Sequence, residues 1–328
     1  MDLRSPREGF SIRFFLKGAA LSLSFAVLLL GCTGDPDTIS VDFNKTTPAQ
    51  KPTLEQPGLP ALRVAVGSMI SPKESFVYYR QLIDYIGRKA QSPTELVQRK
   101  TYGEINRLLG RGEIDLAFIC SGPYAAGREE HAFELLAAPQ VQGSHFYRSY
   151  LIVNKNQPYQ KLDDLRGRVF AFTDPESNTG RLAPTYWLKQ IGEEPDRFFS
   201  KVIYTYSHDN SILAVGRGLV DGAAVDSLIW EYFRNVDPEL TQPTRIIKKS
   251  EPYAIPPVVA SRSFPEEKRR QTKDLLLSMH LDAEGRRILD GLMIDRFIVP
   301  PSDWFDSVKQ IQRMAASLQE DDHGAQKP

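Results

Sequence analysis

The sequence predicts an α/β protein with two lobes, each a mostly parallel sheet flanked by helices, and a ligand cleft between them. Three observations support this prediction. Short apolar strands alternate with helices along the chain, which is typical of parallel sheets. The alternation occurs in two sets, separated near Tyr150–Val153. Polar loops stand at the carboxyl ends of the predicted strands, where open α/β sheets bind ligands.

The N-terminal segment, residues 1–31, predicts a signal peptide. A positively charged N-terminal segment is followed by an apolar stretch, Gly18–Leu30. This stretch is short for a membrane span but has the length typical of a signal peptide. The stretch ends in Leu29-Leu30-Gly31-Cys32, which resembles the bacterial lipobox. We therefore expect Cys32 to be lipidated; an uncleaved N-terminal membrane anchor is the alternative.

Residues 32–60 predict a flexible tether. This segment is rich in Thr, Asp, Gln and Pro and lacks apolar periodicity, so it cannot bury enough surface to become ordered. Once Cys32 is acylated, Cys120 is the only other cysteine, which excludes an intramolecular disulfide in the mature chain. We expect Cys120 to be a small buried residue at a strand end.

The body begins with one alternating set. The predicted elements are strand 62–66, helix 73–90, strand 95–97, helix 104–109 and strand 114–119. The last of these strands ends in the polar segment Cys120-Ser121-Gly122-Pro123-Tyr124.

The second set follows Tyr150–Val153, and the chain then returns to the first lobe. The predicted elements are strand 169–173, a helix from Leu182, strand 201–204, helix 211–215, strand 222–225, strand 258–260, and helices 265–280, 283–291 and 303–318. The predicted division is lobe 1 at 61–152 plus 254–320, lobe 2 at 153–253, and a disordered tail at 321–328.

The stretch "FTDPESNTG", residues 172–180, lies where a predicted strand meets a predicted helix. Its residue types are those of an ordinary turn with a helix cap. They also suit an anion site, because a helix N-terminus has free N–H groups and partial positive charge, to which Ser177, Asn178 and Thr179 could add hydrogen bonds. No Gly-Lys-Ser/Thr follows, so this is not a nucleotide-binding loop of the Walker type.

Four segments together resemble the phosphate/phosphite/phosphonate substrate-binding proteins of ABC transporters. They are "DPESNTGRLAP" (174–184), "SHDNSILAVGRGLVDGAAVD" (207–226), "GEIDLAFICSGPYA" (112–125) and "LMIDRFIVPPSDWFDSV" (292–308). The resemblance covers roughly residues 60–315. It implies a type II periplasmic-binding fold, with two lobes, a hinge and a ligand in the cleft.

The resemblance also implies binding residues. The loop residues Ser177, Asn178 and Thr179 and the histidine His208 would contact the oxyanion, and Ser121 and Tyr124 are the nearest matches for a group from the first lobe. The carboxylates with which aminophosphonate binders hold an amine would fall near Leu228 and Pro256, neither of which is acidic; Asp226 is close but offset, and it is the first candidate if a carboxylate has been missed. We therefore expect no preference for an amino-alkylphosphonate.

These observations favour a monomeric, lipid-anchored receptor on the periplasmic side of the cell envelope that delivers a small oxyanion to an ABC transporter permease. A sensor of the same fold for a signalling partner is the alternative. An enzyme is disfavoured because the sequence shows no catalytic constellation. The histidines lack zinc spacing, so neither a metal nor another cofactor is expected. The 41 basic and 41 acidic residues balance, and no basic stripe indicates nucleic acid.

Overall fold

The computed structural model describes residues 60–324, except 68, 70, 71, 132 and 302. The predicted signal peptide, Cys32 and nearly all of the predicted tether lie outside the described residues, as do residues 325–328. Among the described residues, no helix has both the length and the apolar character that a membrane span requires.

The strands form two large sheets and one short ribbon. The six-stranded sheet has the order β13-β4-β12-β3-β1-β2, the five-stranded sheet has the order β10-β6-β9-β7-β8, and β11 pairs with β5. We call the parts built on the six-stranded and five-stranded sheets the first and second lobes. The strands are β1 (Leu62–Val66), β2 (Thr94–Val97), β3 (Leu116–Phe118), β4 (Glu134–Gln140), β5 (Phe146–Tyr147), β6 (Ser149–Asn154), β7 (Val169–Phe172), β8 (Lys201–Tyr204), β9 (Gly222–Asp226), β10 (Thr244–Lys249), β11 (Tyr253–Ala254), β12 (Val258–Ala260) and β13 (Arg296–Ile298).

Helices connect the strands and cover both sheets. They are α1 (Pro72–Lys89), α2 (Tyr102–Gly110), α3 (Ser121–Glu130), α4 (Ala183–Lys189), α5 (Pro195–Phe198), α6 (His208–Gly216), α7 (Ser227–Val236), α8 (Pro238–Thr241), α9 (Glu266–Ser278), α10 (Ala283–Gly291) and α11 (Asp306–Gly324). Short 3₁₀ turns at Leu162–Leu165 and Met279–Leu281 and a π-helical turn at Asn178–Leu182 complete the set.

Both sheets are mixed, whereas the sequence predicted mostly parallel sheets. Strands β1, β2 and β3 are parallel, as are β7, β8 and β9, but β12 runs antiparallel to β3 and β6 runs antiparallel to β9. The reason is the chain path. The parallel strands of each sheet end at the edge where the chain crosses between the lobes. Strands β6 and β12 begin at that same edge, so they run in the opposite direction.

The chain crosses between the lobes through a two-stranded ribbon. Strand β5 precedes the second lobe and β11 follows it, and Tyr147 is paired with Tyr253 across the ribbon. The crossing lies earlier than the boundary predicted at residue 152, because β6 begins at Ser149 and belongs to the five-stranded sheet.

The C-terminal helix α11 makes a third connection. Val308 and Ile311 are buried in an apolar cluster of the second lobe, although β13, just before the helix, belongs to the first. The segment predicted to complete lobe 1 therefore also packs on lobe 2. The helix extends to Gly324, so residues 321–324, predicted to be a disordered tail, are helical.

Each lobe has its own apolar core. Buried side chains of β1, β3, β4 and β12 pack against α1 and α9 in the first lobe, and those of β6, β7 and β9 pack against α4 and α6 in the second. The sequence prediction missed helices α3 and α7 and strands β4, β10 and β13. Helix α3 matters most for function, because it begins at Ser121, where a polar loop was expected.

Candidate functional site

Several loops converge where strands end and helices begin. Residue Ser121 is the first residue of α3, Asn178 is the first residue of the π-helical turn, and His208 is the first residue of α6. The first N–H groups of a helix have no partner within the helix, so each start is favourable for a polar or negative group. These starts belong to both lobes, and their side chains are buried.

The loop between β7 and α4 is held by its own side chains. Ser177 caps the π-helical turn, since its Oγ accepts a hydrogen bond from the Gly180 N–H at 2.9 Å. Gly180 is required for close approach, because a Cβ atom there would lie 2.1 Å from Thr173 Oγ1. The Ala183 N–H donates to the Asn178 carbonyl, which produces a π-helical turn just before helix α4; that helix begins at Ala183, one residue after the predicted start at Leu182. The hydroxyl of Ser177 is thus engaged within the loop itself.

A tyrosine on the crossing ribbon joins the two lobes. The Tyr147 hydroxyl lies 2.6 Å from Ser121 Oγ in the first lobe. It also accepts a hydrogen bond from Asn178 Nδ2 in the second lobe, at 3.2 Å. All three side chains are buried. Two predicted site residues, Ser121 and Asn178, are therefore brought together through Tyr147, which was not predicted to bind the ligand.

The protonation of His208 follows from its neighbours. Its Nδ1 accepts a hydrogen bond from the Asp226 backbone N–H at 3.0 Å and lies 3.2 Å from Thr173 Oγ1. Burial lowers the pKa of His208 to about 3, so the ring is neutral. Because Nδ1 accepts, the single ring proton resides on Nε2, and this N–H donor is buried without a partner among the described residues.

Of the buried polar atoms that lack a hydrogen-bond partner in the described part of the chain, four belong to residues at or beside these helix starts. They are Tyr102 Oη, Asn178 Oδ1, Thr179 Oγ1 and His208 Nε2. With Ser121 and Tyr147, these residues form what we call the buried polar site: Tyr102, Ser121, Tyr147, Asn178, Thr179 and His208. Because buried polar groups are almost always paired, this cluster indicates a site for a small polar ligand.

The amide of Asn178 can serve the site in two orientations. As placed, its Nδ2 donates to Tyr147 and its Oδ1 is unpartnered, so Oδ1 could accept a hydrogen bond from a ligand hydroxyl. A rotation of 180° would let Oδ1 accept from Tyr147 and turn Nδ2 toward the site as a donor.

The electrostatics favour an anion held by neutral donors. No lysine or arginine is among the buried polar residues that the structure describes. Burial raises the pKa of Asp226 to about 7, although the Leu228 N–H donates to its carboxylate at 2.7 Å. Burial also raises the pKa of Asp174, which accepts hydrogen bonds from the Glu176 and Tyr102 N–H groups. A small oxyanion at helix starts needs no cation when oriented N–H and O–H groups point at it.

Tyr124, a predicted ligand residue, lies elsewhere. Because the chain forms helix α3 immediately after Cys120, Tyr124 enters the first-lobe core, with its ring centroid 4.4 Å from that of Phe305. Tyr102, Tyr147, Thr173 and Asp226 take part in or support the site and were not predicted as ligand residues. Tyr102 directly follows the helix cap Thr101, which is the sequence signal that could have identified it.

The Cys120 thiol lies beside the site. Burial raises the pKa of the Cys120 thiol to about 11, so it is protonated at neutral pH and is not an activated nucleophile. Cys120 is buried at the start of α3, as predicted for a small structural residue. Within the described ranges, no group of three His, Cys, Asp or Glu side chains could hold a metal ion.

The fold and the site together define a two-lobed solute-binding protein with a polar site between its lobes. Residues 64–305 match the family described as "ABC transporter, phosphonate, periplasmic substrate-binding protein". The chain therefore belongs to this family, and the resemblance drawn from the four sequence segments is confirmed. The family consists of substrate-binding proteins for transport.

Individual relatives agree with this assignment. A probable phosphite-binding protein of an ABC transporter, PhnD1 from Prochlorococcus marinus, is 27% identical over 179 residues, which cover 51% of this chain and 60% of the relative. The chain thus matches less than two thirds of that relative's length.

Solved structures of similar proteins confirm the type II fold. A binding component of a phosphonate transporter from Pseudomonas aeruginosa has a TM-score of 0.75 at 20% identity, covering 78% of this chain and 87% of that one. The Prochlorococcus marinus PhnD1 structure with methylphosphonate has a TM-score of 0.70 at 21% identity, covering 77% of this chain and 97% of that one.

Proposed function

We propose that the chain is the extracytoplasmic binding component of an ABC transporter and captures a small oxyanion of the phosphonate, phosphite or phosphate type. The observation that carries this proposal is the cluster of four unpartnered polar atoms between the lobes. Three of them, on Tyr102, Thr179 and His208, are donors as placed, and a tetrahedral oxyanion offers acceptors in several directions.

Family membership supports the transporter role over the sensor alternative, because the matched family is defined by transport. The printed descriptions of two relatives, a phosphite-binding protein and a complex with methylphosphonate, support the ligand class. We further propose that Cys32 carries a lipid that holds the body at the membrane and that residues 32–60 act as the tether. The sequence features described above support this part.

Isothermal titration calorimetry on the purified protein tests the ligand class. We expect binding of at least one of methylphosphonate, phosphite and phosphate, and weaker binding of sulfate. The reason is that Asn178 Oδ1, as placed, can accept a hydrogen bond from the hydroxyl that monoprotonated phosphate-type anions carry and sulfate lacks at neutral pH. If none of the phosphorus oxyanions binds, the proposed function is wrong.

A further inference from the structure

A cavity of about 400 Å³ lies beside the buried polar site, between the lobes. Most of its wall is apolar and comes from both lobes and from the crossing segments. Representative lining residues are Val141, Leu228, Ile229, Ile255, Pro256 and Phe297.

The cavity and the buried polar site share a wall. Met69, Tyr147 and Asp226 all line the cavity. Each of them also contacts the site. The Met69 carbonyl accepts a hydrogen bond from the backbone N–H of His208 at 3.0 Å, and the backbone N–H of Asp226 donates to His208 Nδ1. The Tyr147 hydroxyl contacts Ser121 and Asn178. A ligand whose charged group occupies the site can therefore extend its remaining atoms into the cavity.

The charged side chains that line the cavity already have partners. Asp226 accepts a hydrogen bond from the Leu228 N–H at 2.7 Å. Arg234 lies 2.6 Å from Glu231, and Glu231 also accepts from the Tyr150 hydroxyl at 3.2 Å. The Arg148 guanidinium donates to the Ser250 carbonyl. Leu228 and Pro256, where the family resemblance places carboxylates for an amine, both line the cavity. The wall thus suits an uncharged, apolar group.

We propose that this cavity receives the organic substituent of the ligand, and that the protein selects phosphonates with an apolar alkyl or aryl group larger than methyl. The proposal rests on the proposed function and narrows its ligand class. A methyl group would leave most of the cavity empty, whereas a butyl or phenyl group would bury its surface against the apolar wall. Each buried methylene contributes about 0.8 kcal/mol, which corresponds to roughly a fourfold gain in affinity.

A calorimetric series tests the proposal with phosphate and with methyl-, ethyl-, butyl-, phenyl- and 2-aminoethylphosphonate. We expect affinity to rise from methyl to butyl by about tenfold or more, since the three added methylenes gain up to roughly 60-fold if fully buried. Equal or weaker binding of butyl- and phenylphosphonate relative to methylphosphonate would overturn the proposal and leave the proposed function intact. Tighter binding of the aminated ligand than of ethylphosphonate would also overturn it. If no member of the series binds, the proposed function itself fails.

Two variants assign the effect to this cavity. Leu228→Trp and, separately, Val141→Trp should each reduce the ratio of butyl- to methylphosphonate affinity by about tenfold, because the larger side chain fills part of the cavity. Ile191→Trp is the matched control, since Ile191 is half exposed and does not line the cavity; it should leave the ratio unchanged. A ratio that is unchanged in both folded cavity variants would contradict the proposal.

Discussion

The Ser121 Oγ and the Tyr147 hydroxyl lie 2.6 Å apart, and this contact joins the start of a first-lobe helix to the ribbon on which the chain crosses to the second lobe. The same hydroxyl accepts from Asn178 in the second lobe. One phenol group therefore contacts both sides of the cleft. In two-lobed binding proteins the lobes move about the crossing segments, so this position couples lobe closure to the site.

Removal of that hydroxyl should weaken ligand binding. Tyr147→Phe keeps the ring but loses two hydrogen bonds worth about 1 kcal/mol each, so the dissociation constant should rise roughly 10- to 30-fold. Calorimetry with the best ligand of the series measures the change. Tyr253→Phe is the matched control, because Tyr253 is the pairing partner of Tyr147 on the ribbon and shares its buried surroundings. Equal losses in both variants would mean that the Ser121–Tyr147–Asn178 contact has no special role.

Close approach of the lobes at Gly122 should be necessary for tight binding. A Cβ atom at this first-lobe position would lie 2.5 Å from the Glu176 carbonyl oxygen and 2.9 Å from the Asn178 nitrogen, both in the second lobe. These are backbone atoms that cannot rotate away. Gly122→Ala should therefore hold the lobes apart and weaken binding by at least about tenfold, with little loss of thermal stability in the free protein, because the lobes can separate.

The control for this prediction is Gly291→Ala, since a Cβ there meets no atom within 4 Å. Small-angle scattering should show no ligand-induced compaction in Gly122→Ala and normal compaction in Gly291→Ala. Wild-type affinity and compaction in Gly122→Ala would contradict the prediction.

The Thr179 hydroxyl should strengthen ligand binding without stabilising the free protein. Its buried hydroxyl has no partner among the described residues, which is unfavourable in the free protein. Thr179→Val removes the hydroxyl and keeps the shape, so the free protein should be as stable or up to about 1 kcal/mol more stable. A lost hydrogen bond to a charged ligand costs about 1.5–3 kcal/mol, so affinity should fall roughly 10- to 150-fold. Urea unfolding and calorimetry measure the two effects; loss of stability without loss of affinity would show that Thr179 is structural.

His208 and Asp226 should make opposite contributions to the pH dependence of stability. Burial raises the pKa of Asp226 from 3.8 to about 7, so stability is full below pH 4 and is lost as pH rises toward 7. Burial lowers the pKa of His208 from 6.5 to about 3, so stability is full above pH 6.5 and is lost as pH falls toward 3. The two slopes, each up to about 1.4 kcal/mol per pH unit, have opposite signs and offset each other between about pH 4 and 6.5.

Asp226→Asn should leave the contribution of His208 to the pH dependence of stability without the opposing contribution of Asp226. Asparagine removes the titratable carboxyl group but still caps the following helix. Between pH 4.5 and 6.5 the unfolding free energy of the variant, relative to wild type, should rise with pH. Urea unfolding at three pH values measures this difference. A difference that is constant across the range would show that the carboxyl group of Asp226 does not take up a proton on folding.

The proposed lipid anchor can be tested by fractionation. Cys32→Ala should release the protein to the soluble fraction or leave it unprocessed, because the proposed site of lipid attachment is lost. Cys120→Ala is the control, since this buried cysteine lies in the folded body. A Cys32→Ala protein that is processed and membrane-bound like wild type would rule out the lipobox interpretation.

The sequence was sufficient for the lobes and for part of the site. The helix start at Asn178 could be recognised from local residue types because capping chemistry is local. His208 was assigned to the site through the family resemblance, since the helix was predicted to begin at residue 211. Tyr147 and Asp226 could not be assigned in this way. Their roles depend on which strands meet between the lobes, and a tyrosine or a cap aspartate looks the same in a core as in a site. Tyr124 was expected in the site but lies in the first-lobe core. The reason is helix α3, which was not recognised from the sequence and which directs Tyr124 into that core.

A crystal structure of the protein with methylphosphonate or the best ligand of the series tests the central claim most directly. The account predicts the phosphonate group between the lobes, with its oxygens about 2.7–3.2 Å from His208 Nε2 and Thr179 Oγ1. In that complex both buried atoms would have a hydrogen-bond partner. An anion bound elsewhere, or one in the cleft that leaves His208 Nε2 and Thr179 Oγ1 without contact, would contradict the account.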